Sequence, residues 1–363
     1  MLLPIFATEA LQYSHATEFL IGLAVGIYGL TQSLLQIPFG MLSDRYGRKP
    51  LIFIGLGFIV LGSVVAALAT SIYGLILGRV LQGCGAVGSV VIALLADQVR
   101  EQVRTSAMAI LGASIGLVFA LALVLGPLLN QWVGLPGIFV VIAMLAIIGA
   151  LLLVTVPQTV REKPQPSMTS FKASFKSMFG NRQLKNLNIG TFALHASLAA
   201  IFLVLPGLVL EAGVLAADLW KIYLVSLVVA MLVAWRLISY SEKQHKNNNL
   251  LSLAILGLLI AEGLLYIVYG LLGITGCLII FFTAFCILEA SLPTLVSKYA
   301  PTSNRGAALG MYACLQFFGM FVGGVSGGWL HGHFGVGAVL GFCILMSLGW
   351  LLSQTRTTKV VMI

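Results

Sequence analysis

The sequence predicts an all-α protein that crosses a membrane many times. Three observations carry that reading: 9% of its 363 residues are charged, 60% are hydrophobic, and long apolar runs recur from one end of the chain to the other. A water-soluble domain carries about a quarter charged residues. A helix needs about 20 apolar residues to cross the hydrocarbon, and only helices and closed barrels satisfy their backbone there. The runs are continuous rather than alternating, which excludes the barrel. The mean hydropathy of +1.06 agrees.

Taken in order, spans are expected at 19–39, 51–70, 73–95, 106–129, 136–156, 187–210, 219–240, 250–270, 273–296, 306–330 and 334–353. Upstream, MLLPIFA is too short to cross alone and lacks the charged flank and small-residue cleavage site of a signal peptide. It reads as the outer half of a span whose beginning is missing. With that span completed the expected count is twelve, and both termini are cytoplasmic.

Charge placement sets the orientation. If the turn at 40–50 is cytoplasmic, every Lys and Arg except Arg79, Lys221 and Arg236 falls on that side or in its loops, among them Arg45, Arg48, Lys49, Arg100, Arg104, Lys243 and Arg305. The opposite loops hold Glu9, Glu18, Glu211 and Asp218, with Lys221 as their cation. Such a bias is the positive-inside rule, and it explains the net charge of +9 without nucleic acid. A basic surface for anionic lipid follows from it. The five cysteines stand singly in apolar segments and read as small buried hydrophobes, not disulfides or metal ligands. His331 and His333, at an outer loop, are a minor metal candidate.

Between 157 and 186 the composition turns polar, with three prolines and six Lys or Arg. This is the expected cytoplasmic linker between an N-terminal bundle (1–156) and a C-terminal bundle (187–353), with a cytoplasmic tail at 354–363. Within it Phe171, Phe175 and Phe179 recur at i, i+4, i+8 beside Lys172 and Lys176, as in a helix lying on the inner leaflet. The halves repeat weakly. A slide of 201 residues sets Arg104 and Gly126 on Arg305 and Gly327, and a slide of 198 sets Ser43-Asp44-Arg45 on Ser241-Glu242-Lys243. Two parallel halves of six spans each is the plain inference.

One stretch concentrates charge in an otherwise uncharged chain: GMLSDRYGRKP, at 40–50, joins the second and third spans. Its glycines permit a short turn between helices. Asp44 at the membrane edge suits a helix N-terminus from the other half, near Gly306. Arg48 has the reach to bridge Asp44 to Asp97 at the end of the fourth span. Pairs of this kind contribute on the order of 1–3 kcal/mol, enough to bias a two-state equilibrium. The simpler alternative is that these charges only anchor topology, but that would require neither Asp44 nor the glycines.

This stretch resembles motif A of the major facilitator superfamily through Gly40, Leu42, Asp44, Arg45, Gly47, Arg48 and Lys49. Arg79, Gln82, Gly83 and Gly85 in the fourth span are similar to that superfamily's motif B. Gly126-Pro127 resembles the core of its antiporter motif, whose trailing glycines are here Leu128, Leu129 and Asn130. The resemblance covers essentially the whole chain and is strongest to the proton-coupled drug antiporters of the inner membrane. It implies a major facilitator fold of two six-helix bundles, a first span cut short, and a motif A that latches the cytoplasmic side shut. Relatives of the nearest type continue into a soluble C-terminal domain, whereas this chain stops about ten residues after its last span.

Ionisable groups inside spans cost about 2.5–3.5 kcal/mol on insertion scales, so each asks for a reason. There are five: Arg79, His195, Arg236, Glu262 and Glu289. Glu289 is the first candidate for proton carrier, because moving a carboxyl out of water favours its neutral form. His195 is second, as imidazole titrates near physiological pH, and Glu262 is third. Arg79 with Gln82 shares one face of its span and would tune a carboxylate or an anionic substrate. A protonated Glu held by helix-to-helix hydrogen bonds, or a core His, are the bland alternatives. Arg236 lies near enough the inner end to snorkel. The glycine clusters Gly22/Gly26/Gly29, Gly83/Gly85/Gly88 and Gly319/Gly323/Gly324/Gly327/Gly328 allow close helix packing.

No phosphate-binding loop and no nucleophile–base–acid arrangement stands out, so neither ATP nor enzymatic chemistry is expected, nor any cofactor or metal. The expected function is secondary active transport by alternating access: a proton-driven antiporter of small amphipathic compounds in a bacterial inner membrane. Its expected partners are a small-molecule substrate, protons and the lipid bilayer, with no nucleic acid and a monomeric state. The cavity is expected to be lined by the first, fourth, fifth, seventh, eighth, tenth and eleventh spans, by analogy with the superfamily. A metabolite uniporter or symporter of the same fold stands as the rival, and a non-transporting receptor or scaffold as a second.

Overall fold

A chain segment in hydrocarbon has no water to bond its backbone, so each apolar run must close its own hydrogen bonds, and here each does so as a helix. The computed structural model describes residues 2–157, 181–244, 247–300 and 305–361. Along them run α1 (Leu3–Ala10), α2 (Glu18–Tyr46), α3 (Arg48–Ala67), α4 (Ile72–Gly83), α5 (Gly88–Gln98) and α6 (Glu101–Thr155). The second half holds α7 (Arg182–Glu211), α8 (Leu219–Lys243), α9 (Asn247–Ile267), α10 (Leu271–Tyr299), α11 (Arg305–Phe334) and α12 (Val336–Val361). The linker's phenylalanine stripe lies outside the described residues, and α7 begins five residues ahead of the expected 187.

Ten of these stretches are long and apolar enough to cross a bilayer. One of the ten, 110–155, is two helices bent at Gly134, whose φ of 64° is left-handed and whose follower but one is Pro136. Dividing it there recovers the eleven expected spans. The fourth span is broken as well. Helix α4 stops at Gly83 and α5 starts at Gly88, and Gln32 of α2 donates across the gap to the Gly85 carbonyl at 3.4 Å. Helix starts are fixed locally: Thr17, Ser71 and Asn181 each accept a backbone N–H from the first turn of α2, α4 and α7. The short α1 is not a full span, but Ile5, Phe6, Ala7 and Ala10 are buried, and it packs on α2, α6 and α7.

Each half has its own apolar interior. In the C-terminal half it gathers α7 to α12 around Phe202, Tyr223, Phe281, Phe282 and Trp350. In the N-terminal half there are two centres, one at Phe6, Ile21 and Phe139 and one at Phe39, Leu51 and Leu153. The halves meet chiefly along α2 and α11, and there glycine decides the geometry. A Cβ on Gly324 would lie 2.7 Å from the Gly22 carbonyl, and one on Gly328 2.5 Å from that of Glu18. One on Gly26 would lie 2.7 Å from the Phe321 carbonyl. Backbone therefore touches backbone with no room for a side chain, the packing small residues permit between helices in lipid.

Candidate functional site: a charged turn and two polar clusters inside the bundle

The turn between α2 and α3 is made by Gly47, whose φ of 99° is closed to most side chains. Reversing the chain there places Arg48 beside the end of its own preceding helix. Its guanidinium meets Asp44 Oδ1 at 2.7 Å, Asp97 Oδ2 at 3.1 Å and Ser43 Oγ at 2.5 Å, so it joins α2, α3 and α5. The Arg48 side chain is 9% exposed, which removes it from most competing water. Lys49 donates to the carbonyls of Val156 and, at 3.5 Å, Val154, where the end of α6 leaves acceptors unpaired. Gly40 faces Ser89 of α5, Arg45 lies over the Tyr46 ring, and Leu42 is exposed. Gly306, near which Asp44 was expected to act, is exposed in the first turn of α11, and the residues just before that helix, 301–304, lie outside the described residues.

Midway along α7 sits His195, 3% exposed. Its Nδ1 is 3.0 Å from the Thr191 carbonyl, which can only accept, so that nitrogen carries a hydrogen. Its Nε2 is 2.8 Å from Gln316 Nε2 of α11 and 3.5 Å from Glu289 Oε2 of α10. The same Gln316 amide donates to Glu289 Oε1 at 3.2 Å. One side-chain amide thus holds a histidine and a carboxylate from two other helices. The second carboxylate oxygen, Oε2, has no hydrogen-bond partner among the described residues. Phe285 stacks beneath, edge-on to His195 and parallel to Phe119 of α6 across the junction of the halves.

The N-terminal half answers with its own polar cluster. Arg79 on α4 donates to Gln82 Oε1 at 2.8 Å and to the Ala24 carbonyl at 3.3 Å, and lies 4.5 Å over the Tyr28 ring. Gln82 passes the chain on to Ser63 of α3 at 2.7 Å. Tyr28 meets Phe317 of α11 edge-on, and Phe317 is the neighbour of Gln316. The two clusters therefore flank one aromatic contact between the halves.

The other expected residues are elsewhere. Glu262 is fully buried in the C-terminal half, faced by the hydroxyls of Ser347 and Ser197, and it is not brought to His195 or Glu289. Arg236 is exposed near the end of α8. Gly126 and Pro127 are buried in α6, one turn before Asn130, which donates to Glu9 of α1, and Gln131, which donates to the Ala217 carbonyl. His331 is in the last turn of α11 and not in a loop, 3.0 Å from Glu18 Oε2 across the halves. His333 points to the Trp329 carbonyl instead. Among the described residues no three metal-binding side chains gather.

The residues missed at the sequence level are Tyr28, Thr191 and Gln316. Each is neutral, and a search for charge in apolar runs passes over neutral polar groups. The signal available for Gln316 was an amide at mid-span in an apolar stretch, CLQFFG.

Comparison with known proteins identifies the lineage. Residues 1–324 match the model of the Major Facilitator Superfamily. The chain belongs to that superfamily. It is 42% identical over 358 residues to the inner membrane transport protein YajR of Escherichia coli (strain K12), covering 97% of this chain and 78% of that one. It is 26% identical to multidrug resistance protein MdtH of Aeromonas salmonicida (strain A449), over 86% of this chain and 79% of the relative. The fold also matches the nucleoside transporter NupG, with a TM-score of 0.71, 13% identity, and 99% and 95% of the two chains covered. The chain is thus a multi-pass membrane protein with the fold of that superfamily's transporters, two helical bundles side by side.

Proposed function

We propose that this chain is a proton-driven antiporter that expels small amphipathic compounds across a bacterial inner membrane. In this reading 1–156 and 187–353 rock as bundles about the aromatic contact, joined by the linker 157–186, with both termini and the 354–363 tail in the cytoplasm. The observation that carries it is the His195–Gln316–Glu289 cluster, three polar side chains from three helices joined in an apolar bundle. Such a group is expensive in a membrane and asks for a function.

Its chemistry suits a proton. With His195 neutral, Nε2 accepts from the Gln316 amide, and the amide's second hydrogen holds Glu289. A proton arriving at His195 turns Nε2 into a donor aimed at Glu289 Oε2, and Gln316 must release one or both partners. Protonation of Glu289 instead weakens the amide's charge-assisted bond. Either event changes the ties between α7, α10 and α11, and α11 is the helix against α2. A cationic or amphipathic substrate competes for the same carboxylate. The charged turn, with Arg48 tying α5 to the α2–α3 corner, acts as the cytoplasmic latch. YajR is named a transport protein and MdtH a multidrug resistance protein, which supports efflux of small compounds.

The purified protein in proteoliposomes with an imposed pH gradient tests the reading. Substrate-dependent proton flux that disappears in Glu289→Gln is expected. Substrate flux without proton movement in the parent protein would favour the uniporter instead, a rival kept alive by Leu128, Leu129 and Asn130 in place of the antiporter glycines.

A further inference from the structure

Glu262, set apart from the cluster above, has surroundings of its own. It lies on α9 with no exposed surface, and neither carboxyl oxygen has a hydrogen-bond partner among the described residues. What faces it is uncharged: the hydroxyls of Ser197 of α7 and Ser347 of α12, and the Cys343 thiol of α12. Cys343 is the titratable neighbour, and its sulfur donates to the Ser197 carbonyl at 3.8 Å. Among the described residues α8 and α10 set no charged side chain against the carboxyl. A bare carboxylate here would have those two hydroxyls as donors but, among the described residues, no cation to offset its charge in apolar surroundings. A carboxylic acid instead brings its own O–H, which the two hydroxyls can accept.

A line of polar groups leads from this seat to the basic end of the molecule. On α12, Ser347, Trp350 and Gln354 recur at i, i+3 and i+7 and so share a face. On α7, Asn186, Gly190 and Ser197 form the opposing stripe. The stripes meet in pairs: Gln354 bonds Asn186, the Trp350 ring fills the space left by Gly190, and Cys343 meets Ser197. Along the seam Asn186 Oδ1, Trp350 Nε1 and Ser197 Oγ are buried and have no partner among the described residues, a file of polar positions that water can bridge and a proton can follow through that water. Its far end opens into a cavity of roughly 460 Å³ lined by Arg182, Lys185, Asn186, Gly349 and Ser353.

We propose that Glu262 is a second proton-binding site, separate from the Glu289 cluster and loaded from the basic end of the molecule along the α7–α12 seam. The site does not depend on antiport. It asks only that a proton occupy this carboxyl and exchange through one face.

Dicyclohexylcarbodiimide reacts with protonated carboxyls in apolar surroundings, and mass spectrometry locates the adduct. On the intact protein in oriented proteoliposomes, labelling at Glu262 is expected. It should fall roughly tenfold per unit of pH at the basic-end face once the site titrates, and ignore pH at the other face. Ser347→Ala and Trp350→Phe should slow that response while labelling of Glu289 is unchanged, and Glu289→Gln should leave Glu262 labelling intact whether or not the chain is an antiporter. No adduct at Glu262, titration from the opposite face, or indifference to both seam variants would overturn the proposal. Protection by sodium ions at fixed pH would overturn it too, making the seat a metal-cation site.

Discussion

The two ends of α2 are built from opposite materials. Toward Glu18 the helix meets α11 through glycine, with Gly22 and Gly26 set against Gly324, Gly328 and the Phe321 carbonyl. Toward Asp44 it ends in charge, and the charges are tied within the N-terminal half, through Arg48 to Asp97 and through Lys49 to the end of α6. Shape complementarity works at contact distance and vanishes once helices separate. Ion pairs reach further and can trade partners. One helix thus carries a surface that is either closed or lost, and a hinge that can be re-tied. A rocking transporter requires that pair of properties, and each end can be broken separately.

The largest effect is expected at the glycine end. Gly324→Leu places a branched side chain where a single Cβ already falls 2.7 Å from the Gly22 carbonyl. Overpacking costs about 1–3 kcal/mol where a core can give, and two helix backbones give little. The balance should shift at least about tenfold away from the state closed at Glu18. Cysteines placed at the Glu18 ends of α2 and α11 would report it as lost cross-linking, whereas undiminished cross-linking would mean the helices accommodate bulk and the glycines are incidental.

Next comes the charged end. Asp44→Asn leaves Arg48 with Asp97 as its one full counter-charge, so about 1–2 kcal/mol of hinge stabilisation should go. Insertion should remain normal while transport falls about tenfold or more. Full transport activity would reduce the turn to a topology anchor. Arg48→Lys sharpens the point, because an ammonium lacks the fork that lets a guanidinium hold two carboxylates at once. It should be impaired nearly as much as Asp44→Asn.

Between the ends lies the amide that joins His195 to Glu289. Gln316→Leu keeps the volume of α11 and removes both bonds, so the bundle should stay folded while proton movement uncouples from substrate movement. The diagnostic is the ratio of protons to substrate moved in proteoliposomes under a pH gradient. Gln316→Asn, shorter by one methylene, should retain part of the coupling only if it still reaches His195. An unaltered ratio in Gln316→Leu would confine the amide to a structural role.

These contrasts were unevenly visible in the chain. Charge is rare in an apolar sequence, so Asp44, Arg48, Asp97, His195 and Glu289 could be singled out by their presence alone, and even the Arg48 bridge followed from reach. The spans were legible because backbone in hydrocarbon has few choices, and the kink at Gly134 falls between two expected spans. Partnership was not legible. The glycine clusters of α2 and α11 advertise close packing without saying that they pack on each other, and His195 and Glu289 meet only because α7 and α10 lie side by side. Gln316, Tyr28 and Ser197 were hidden for a further reason: a neutral polar side chain costs too little in a span to stand out, yet it decides how the costly ones are held. The break between α4 and α5 was obscured similarly, since Gly83, Gly85 and Gly88 promise packing and an interruption equally well.

The smallest effect is expected where the two materials meet. Among the described residues Glu18 and His331 form the one charged tie at the glycine end, with Nδ1 and Oε2 3.0 Å apart and side chains 30% and 24% exposed. A partly exposed pair contributes about 1 kcal/mol or less, so Glu18→Gln should shift the balance between states no more than about fivefold. The glutamine carbonyl can still accept from the imidazole, so the loss should be confined to the charged form of His331. The difference between parent and Glu18→Gln should therefore be present when the Glu18 side is acidic enough to protonate histidine and vanish as that side is made alkaline. Cross-linking at the Glu18 end as a function of external pH measures it directly. If the difference persists under alkaline conditions, the carboxylate contributes through something other than the charged form of His331, and the pair is not the tie at that end.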